Sequence, residues 1–407
     1  MVRLIRLRSA LAIALLAAGA ASADGTLVNG VAEPTSAAPD AIGITSSAAT
    51  VLPNMSTART AHSATLLAGG QVLIAGGSPT FITAELYEPT QQAFKPIADM
   101  RYGRRGHTAT LLSSAFVLLA GGVDQSGISL SAAELFIPAS ATFTLTHPMT
   151  TARAGHTATL LKTNHVLIAG GDSAGNTVEL FDPATRTFTR TGTMNHPRWG
   201  HAAALLTDGR VLVTGGDQAG NTAEIFDPRT GRFSPTGSML QSRYDHTATL
   251  LSNGFVLITG GQWYTGQLGT EALSSAEIYE PASARFFAVQ PMSVGRVGHT
   301  ATALADGTVL VAGGATRFAK NPMGCGPLYF YWETGSVERF NPATRQFTVE
   351  DFMSVPRSGH TATRLPTGDV LVTGGTTLVN TLCGIIARYH RVIGEFPTPT
   401  ATAETIR

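Results

Sequence analysis

Seven copies of an arginine followed three residues later by a histidine could bind a metal ion or an anion. The arginines are Arg59, Arg104, Arg153, Arg198, Arg243, Arg296 and Arg357, and the histidines are His62, His107, His156, His201, His246, His299 and His360. A metal ion needs its ligands within roughly 2 Å of one point. One histidine in each copy keeps the imidazoles apart, so we predict no metal site and expect each histidine to bond neighbouring backbone instead.

Each of the first six copies also contains a glutamate that could pair with its arginine: Glu85, Glu134, Glu179, Glu224, Glu277 and Glu338. We expect two-pronged hydrogen bonds between guanidinium and carboxylate groups that tie neighbouring copies together. An anion-binding pore lined by the arginines is the alternative. In the seventh copy the equivalent position is Ala387, which predicts that Arg357 lacks a partner and binds an acidic ligand.

The arginine and histidine belong to a longer repeat that predicts the fold. A methionine lies four residues before each arginine, and a Gly-Gly pair begins fourteen residues after each histidine. Short β-branched and apolar runs such as residues 157–161, 166–170 and 178–182 are separated by Gly, Asn, Asp or Pro, a pattern typical of strands. A phenylalanine six residues before the next methionine marks a fourth strand. These units predict an all-β chain, a seven-bladed β-propeller of four-stranded antiparallel blades.

The units resemble the Kelch repeat family, in which a Gly-Gly pair closes strand two, strand three is acidic and aromatic, and strand four carries an aromatic residue. The resemblance covers nearly all of residues 49–396. Phenylalanine stands where the family most often has tryptophan, and the Arg-x-x-His element is more regular than in many Kelch chains. The resemblance implies a bacterial exported Kelch propeller.

The two ends of the chain suggest an export signal and a closed ring. Residues 1–23 combine Arg3, Arg6 and Arg8 with an apolar run and small residues, which predicts a signal peptide. We expect a flexible segment over 24–43 and the propeller over 44–402. Pairing of residues 44–52 with the last blade would close the ring and is the favoured arrangement, whereas a C-terminal strand at Phe396 is the alternative.

Charge and hydropathy exclude two classes of partner. The net charge is +1, charged residues make up 14% of the chain, and no basic run follows the first ten residues, so we expect no nucleic-acid partner. No later apolar stretch reaches the roughly 20 residues that a membrane span requires. We therefore expect an exported protein, periplasmic or extracellular, that has no membrane span after cleavage and is a monomer.

Length variation and aromatic residues indicate where a ligand binds. The interval between the second glycine of each pair and the proline after strand three is 12, 16, 12, 12, 20 and 28 residues in units one to six, and insertions in one loop class lie on one face. The candidate ligand-binding residues there, with Arg357, are Trp199, Tyr244, Trp263, Tyr264, Tyr329, Tyr331 and Trp332. They suit a glycan or protein ligand, although the same rings could instead pack together as a lid.

The remaining candidates are two cysteines and three carboxylates. Cys325 and Cys383, in neighbouring loops of an exported protein, predict a disulfide. Without a nucleophile elbow, zinc signature or phosphate-binding loop, we expect a non-catalytic recognition or scaffold module without a cofactor. The alternative is a periplasmic sugar-modifying enzyme, resembling Kelch epimerases, with Asp124, Glu271 or Glu333 as acid or base.

Overall fold

A computed structural model describes residues 49–264, 270–320, 329–383 and 392–406. Within these residues the protein is all-β, with seven four-stranded antiparallel sheets arranged as the blades of a β-propeller. This confirms the predicted fold class. The predicted signal peptide (1–23) and flexible segment (24–43) lie outside the described residues. None of the described residues form a helix long and apolar enough to cross a membrane.

The first four blades each consist of four consecutive strands. After β1 (Thr50–Val51), blade one contains β2 (Ser63–Leu66), β3 (Val72–Ala75), β4 (Ala84–Glu88) and β5 (Ala93–Pro96). Blade two contains β6 (Thr108–Leu111), β7 (Val117–Ala120), β8 (Ala133–Ile137) and β9 (Thr142–Leu145). Blade three contains β10 (Thr157–Leu160), β11 (Val166–Ala169), β12 (Val178–Asp182) and β13 (Thr187–Arg190). Blade four contains β14 (Ala202–Leu205), β15 (Val211–Thr214), β16 (Ala223–Asp227) and β17 (Arg232–Pro235).

The last three blades each contain an inserted hairpin between strands two and three. Blade five contains β18 (Thr247–Leu250), β19 (Val256–Thr259), the hairpin β20 (Gln262–Tyr264) and β21 (Thr270–Ala272), then β22 (Ala276–Glu280) and β23 (Arg285–Ala288). Blade six contains β24 (Thr300–Ala303), β25 (Val309–Ala312), the hairpin β26 (Ala315–Lys320) and β27 (Tyr329–Glu333), then β28 (Ser336–Asn341) and β29 (Gln346–Phe352). Blade seven contains β30 (Thr361–Arg364), β31 (Val370–Thr373), the hairpin β32 (Thr376–Cys383) and β33 (Val392–Pro399), then β34 (Ala403–Ile406).

The hydrophobic core lies between blades rather than inside any one of them. The second strand of every blade is buried on both faces and carries apolar residues at nearly all positions, as expected for a central strand covered on both sides. In one such cluster Leu73 of blade one packs with Met100, Phe136 and Phe143. The Phe136 and Phe143 rings lie 5.1 Å apart, within the range of favourable aromatic pairs. The repeated methionine and phenylalanine are therefore core residues.

The ring is closed by the N-terminal strand. The sheet of blade seven has the order β1, β34, β31, β30, and Thr50 of β1 faces Thr405 of β34. N-terminal closure is therefore confirmed. Phe396, the alternative outer position, lies in β33 and faces Val379 of the inserted hairpin. The predicted propeller boundary at residue 402 is wrong, because the third strand of blade seven begins only at Ala403.

The Gly-Gly pairs allow neighbouring blades to approach closely. Gly170 and Gly171 have φ angles of 68° and 71°, in the left-handed region that favours glycine. A Cβ on Gly170 would meet the carbonyl oxygen of Arg198 in the next blade at 3.0 Å, and one on Gly171 would meet the carbonyl oxygen of Ala154 in its own blade at 2.5 Å. Both contacts leave no room for a side chain, so the pair is a packing requirement.

Candidate functional site

The seven repeated arginines are buried, and each is bound to a carboxylate of its own blade. All seven have no exposed surface. The nitrogen to oxygen distances are 2.9 Å for Arg59 and Glu85, 2.9 Å for Arg104 and Glu134, 2.6 Å for Arg153 and Glu179, 2.7 Å for Arg198 and Glu224, 2.8 Å for Arg243 and Glu277, and 3.0 Å for Arg357 and Glu404, while Arg296 pairs with Glu338. The pairs therefore do not tie neighbouring blades together as predicted.

Blade three shows what these pairs do. Arg153 donates from Nη1 to the carbonyl oxygens of Gly170 and Thr177 at 2.7 and 3.1 Å, and from Nη2 to Oε1 of Glu179. Oε2 of Glu179 accepts the backbone N–H of Thr150 at 2.7 Å. The carboxylate divides its two oxygens between the arginine and the connector from the preceding blade, so the pairing here is not two-pronged. In blade four Arg198 does donate twice to Glu224, from Nε at 3.2 Å and from Nη2 at 2.7 Å, both to Oε1. The arrangement fixes the connector and the loop between strands two and three.

Arg357 has a carboxylate partner, contrary to the prediction. Glu404 of β34 binds its Nη2 at 3.0 Å, and Oε2 of Glu404 accepts the backbone N–H of Ser354 at 2.8 Å. Ala387, the position assigned to the partner, lies outside the described residues. The basis for assigning an acidic ligand to Arg357 is removed, because its guanidinium is buried and ion-paired like the other six.

Each repeated histidine places its Nε2 against a hydroxyl group of the preceding blade, a contact that the sequence did not predict. Nε2 of His107 lies 2.9 Å from Oγ of Ser63, and the same contact joins His156 to Thr108 and His201 to Thr157. The seven contacts link all the blades, including His62 of blade one to Thr361 of blade seven at 3.1 Å. These side chains are between 6 and 8% exposed, so they are structural and face the gap between blades.

The hydroxyl partner comes from either of two facing positions. In most blades it belongs to the first residue of strand one, as in Thr157, which faces Ala169 at the end of strand two. Blade four has Ala202 at the first position and Thr214 opposite it, and His246 bonds Thr214 at 2.8 Å. Every one of the seven histidines therefore keeps a hydroxyl partner although the residue that supplies it changes.

We expect the two positions to compensate for each other. Thr157→Ala should destabilise the protein by about 1–3 kcal/mol, because it leaves the buried Nε2 of His201 without its hydroxyl partner. The double change Thr157→Ala with Ala169→Thr, which reproduces blade four, should restore most of that loss. Urea unfolding of wild type, Thr157→Ala, Ala169→Thr and the double variant measures the coupling. A simple sum of the two single effects would contradict this role.

Hairpins enlarge one face of the propeller, here called the loop face, where second strands end and third strands begin. Those of blades five, six and seven project from it, and contacts join β21 to β26 and β27 to β32. The sequence indicated the insertions of units five and six. It missed that of unit seven, where the paired strands β32 and β33 have eight residues each.

Four residues of blade five form a compact cluster on the loop face. The consecutive residues Tyr244 and Asp245 lie opposite Gln262 and Trp263, and the backbones of Tyr244 and Gln262 exchange hydrogen bonds of 3.0 and 2.9 Å. Nε2 of Gln262 donates to Oδ2 of Asp245 at 2.9 Å. The rings of Tyr244 and Trp263 meet edge to face, with centroids 5.8 Å apart. The cluster places an acidic and an amide group beside two aromatic rings.

Asp245 projects from the inner part of the loop face. The first strand of each blade contacts the first strands of both neighbours, so seven first strands form an inner ring, and Asp245 comes two residues before one of them. Its φ is 54°, and its N–H donates to the carbonyl oxygen of Gly200 at 2.7 Å. The carboxylate reaches solvent, yet protein surrounds it on most sides, and this desolvation raises its pKa. An exposed carboxylate in such a setting can accept hydrogen bonds from a ligand.

Two predicted tryptophans rest on loops of the preceding blade. Trp199 is 46% exposed, and its Nε1 donates to the carbonyl oxygen of Asp172 at 3.1 Å. Its ring lies against Gly175, where a Cβ would come within 2.6 Å of Cζ2. Trp263 lies against Gly220 in the same way. The two indole rings are partly packed against loops, as expected if the aromatic residues form a lid. Trp199 and Tyr264, which is 56% exposed, nevertheless present ring surface that a ligand could contact.

The other predicted residues are placed as follows. Tyr329, Tyr331 and Trp332 lie in β27 of the blade-six hairpin, but the structure does not describe their side chains. Cys325 lies outside the described residues and only the backbone of Cys383 is described, so the predicted disulfide cannot be placed.

The three predicted acid or base groups have different surroundings. Oδ1 of Asp124 accepts the N–H groups of Ser126 and Ile128 at 2.8 and 2.9 Å, so it shapes its own loop. Glu271 is exposed in β21, opposite Trp263. Glu333 approaches the hydroxyl of Ser358, at 3.5 Å. The structure does not bring the three together in one cluster.

Sequence reasoning missed Asp245 and Gln262. The position two residues after the repeated arginine is occupied by Gly or Ala in six units and by Asp only in unit five. Gln262 directly follows a Gly-Gly pair, where units three and four have Asp. The signal that could have identified Asp245 is its departure from the Gly or Ala of the other units, whereas the position of Gln262 varies between units and gives a weaker signal.

Comparisons with known proteins support the fold and no more. No family model matches the chain, and no curated protein matches it. Among solved structures it is similar to a fungal alcohol oxidase of the AA5 family in complex with copper, with a TM-score of 0.63, 18% identity, and coverage of 86% of this chain and 75% of that chain. Within the described part of this chain, no group of three or more His, Cys, Asp or Glu side chains could hold a metal ion.

Proposed function

We propose that this protein is an exported, Kelch-type propeller that recognises a glycan on its loop face. The observation that carries the proposal is the blade-five cluster, in which Asp245 and Gln262 lie beside Tyr244 and Trp263. Sugars present hydroxyl groups to carboxylate and amide side chains and C–H faces to aromatic rings. The export part of the proposal rests on the signal-like residues 1–23.

The half-exposed Trp199 adds to this site an aromatic ring whose polar edge is already satisfied. Because its Nε1 donates to Asp172, the ring offers apolar surface without leaving a buried N–H unpaired. A protein ligand would use the same aromatic residues, but the carboxylate and amide pair favours a polyhydroxylated molecule.

We expect Trp199→Ala to weaken glycan binding at least tenfold, which corresponds to about 1.4 kcal/mol. Trp199→Phe should lose less, because a ring remains. A glycan array followed by titration calorimetry on the best ligands measures both. Phe287→Ala is the matched control, since Phe287 is 39% exposed on the outermost strand of blade five and should leave the affinity unchanged. Absence of glycan binding by wild type, or equal losses in the Trp199 and Phe287 variants, would refute the proposal.

A sugar-modifying enzyme is the second candidate function, and Asp245 is the observation that favours it. A carboxylate with a raised pKa beside the proposed sugar site suits a general acid or base. Incubating each array ligand with wild type and Asp245→Asn and following it by NMR distinguishes the two. Turnover that Asp245→Asn abolishes would indicate an enzyme, whereas binding without turnover supports the recognition module.

A further inference from the structure

Two tryptophans are seated in the same way on adjacent blades. Trp199 lies against Gly175 in the loop of blade three, and Trp263 lies against Gly220 in the loop of blade four. Both loops have the sequence Ala-Gly-Asn-Thr, and the two glycines have φ angles of 76° and 75°. In each case a Cβ would collide with the indole ring. The same arrangement, an indole ring packed on a glycine with positive φ, therefore occurs on two adjacent blades.

Asp245 is connected to both tryptophans. Its backbone N–H donates to the carbonyl oxygen of Gly200, the residue after Trp199, and its carboxylate accepts from Gln262, the residue before Trp263. The carboxylate therefore lies next to Gly200 and Gln262, the residues that adjoin the two tryptophans in the chain. Because Asp245 is exposed, its carboxylate is open to a ligand bound on this part of the loop face.

We infer, building on the proposed function, that the loop face binds an extended oligosaccharide with one sugar residue on Trp199 and another at the Trp263 cluster. The two rings belong to different blades, Trp199 to blade four and Trp263 to blade five, and each is seated on a separate loop of the preceding blade, so each ring can support a sugar residue of its own. Asp245 would accept hydroxyl hydrogen bonds between the two positions. Such a ligand gains affinity with chain length, because each additional sugar contact is made within one already bound molecule.

The test compares saccharides of increasing length. Glucose, the malto- and cello-oligosaccharides of two to six units, and N-acetylglucosamine with its oligomers of two to six units are titrated into the full chain by calorimetry. Wild type should bind the best oligomer at least tenfold more tightly than its monomer. Trp199→Ala should lose that gain and bind monomer and oligomer about equally, while Phe287→Ala should keep it.

The outcomes separate this inference from the function on which it rests. If wild type binds a monosaccharide as tightly as its oligomers, or if Trp199→Ala keeps the full gain with length, the two-position site is overturned and glycan recognition stands. If no saccharide in the series or on the array binds, both fail. Thermal unfolding of Trp199→Ala with an unchanged midpoint shows that a loss of binding does not come from misfolding.

Discussion

A chain that ends at Thr402 should fail to fold cooperatively. It lacks β34, whose four residues are all buried and which lies between β31 and β1 in the sheet of blade seven. Its loss removes the only strand that β1 pairs with among the described residues, and it leaves the buried Arg357 without its carboxylate. We expect the truncated chain to show no cooperative transition in thermal or urea unfolding, and to aggregate through its open sheet edges.

A point variant distinguishes the effect of losing the Glu404 carboxylate from the effect of losing the whole of β34. Glu404→Ala should cost about 3–5 kcal/mol, because it leaves a buried guanidinium uncompensated. Glu350→Ala is the matched control, since its pair with Arg339 is partly exposed and such pairs contribute about 0–1 kcal/mol. A truncated chain that unfolds like the full chain would show that another segment supplies the third strand of blade seven.

The propeller should be strongly destabilised by mild acid. Burial lowers the pKa of His62, His156, His201, His299 and His360 to about 3, and lowers those of His107 and His246 well below the usual value. These histidines stay neutral in the folded protein, whereas in the unfolded chain they take up protons below a pH of about 6.5. Since the unfolded state binds more protons, stability falls as the pH drops from about 6.5 towards 3.

The expected size of this effect is large. Each histidine contributes up to about 1.4 kcal/mol per pH unit below its unfolded pKa. Summed over seven groups, the loss by pH 5 is on the order of 10 kcal/mol, comparable to the total stability of a typical domain. Urea midpoints measured between pH 7.5 and 5 should fall steeply. A flat profile over that range would contradict neutral burial of the histidines.

Two variants show which histidines are responsible. His147→Gln should leave the profile unchanged, because His147 is exposed. His299→Gln should lower stability at pH 7.5 yet reduce the proton uptake on unfolding at pH 5 by about one, because it removes one of the seven groups. Potentiometric measurement of proton uptake during unfolding gives this number directly.

The fold was predictable because the signals that define each blade lie close together in the sequence of one unit. Alternating strands, paired glycines and regularly spaced aromatic residues all point to the same blade. The prediction was wrong where a partner lies far along the chain. Glu404 is 47 residues from Arg357. The inserted hairpin of blade seven lengthens this separation, so the spacing of the other units pointed to Ala387 instead of Glu404. The hydroxyl partners of the histidines were missed because those contacts cross between blades, at separations such as the 44 residues between Ser63 and His107.

The candidate site was only half predictable. Trp199, Tyr244 and Trp263 differ visibly from their counterparts in other units, so the sequence singles them out. Asp245 and Gln262 lie within the repeated elements themselves, and their functional interest comes from the hydrogen bond between them and from the exposure of the carboxylate. Neither property can be obtained from one unit considered alone.

The two facing hydroxyl positions also make the blades tolerant of substitution. Blades five and seven contain both hydroxyls, Thr247 with Thr259 and Thr361 with Thr373. From that state either threonine can become alanine while the next histidine keeps a partner. The arrangement of blade three can therefore be converted into that of blade four by two single substitutions, threonine gained first and threonine lost second, without an intermediate in which the Nε2 of the next histidine lacks a hydroxyl partner.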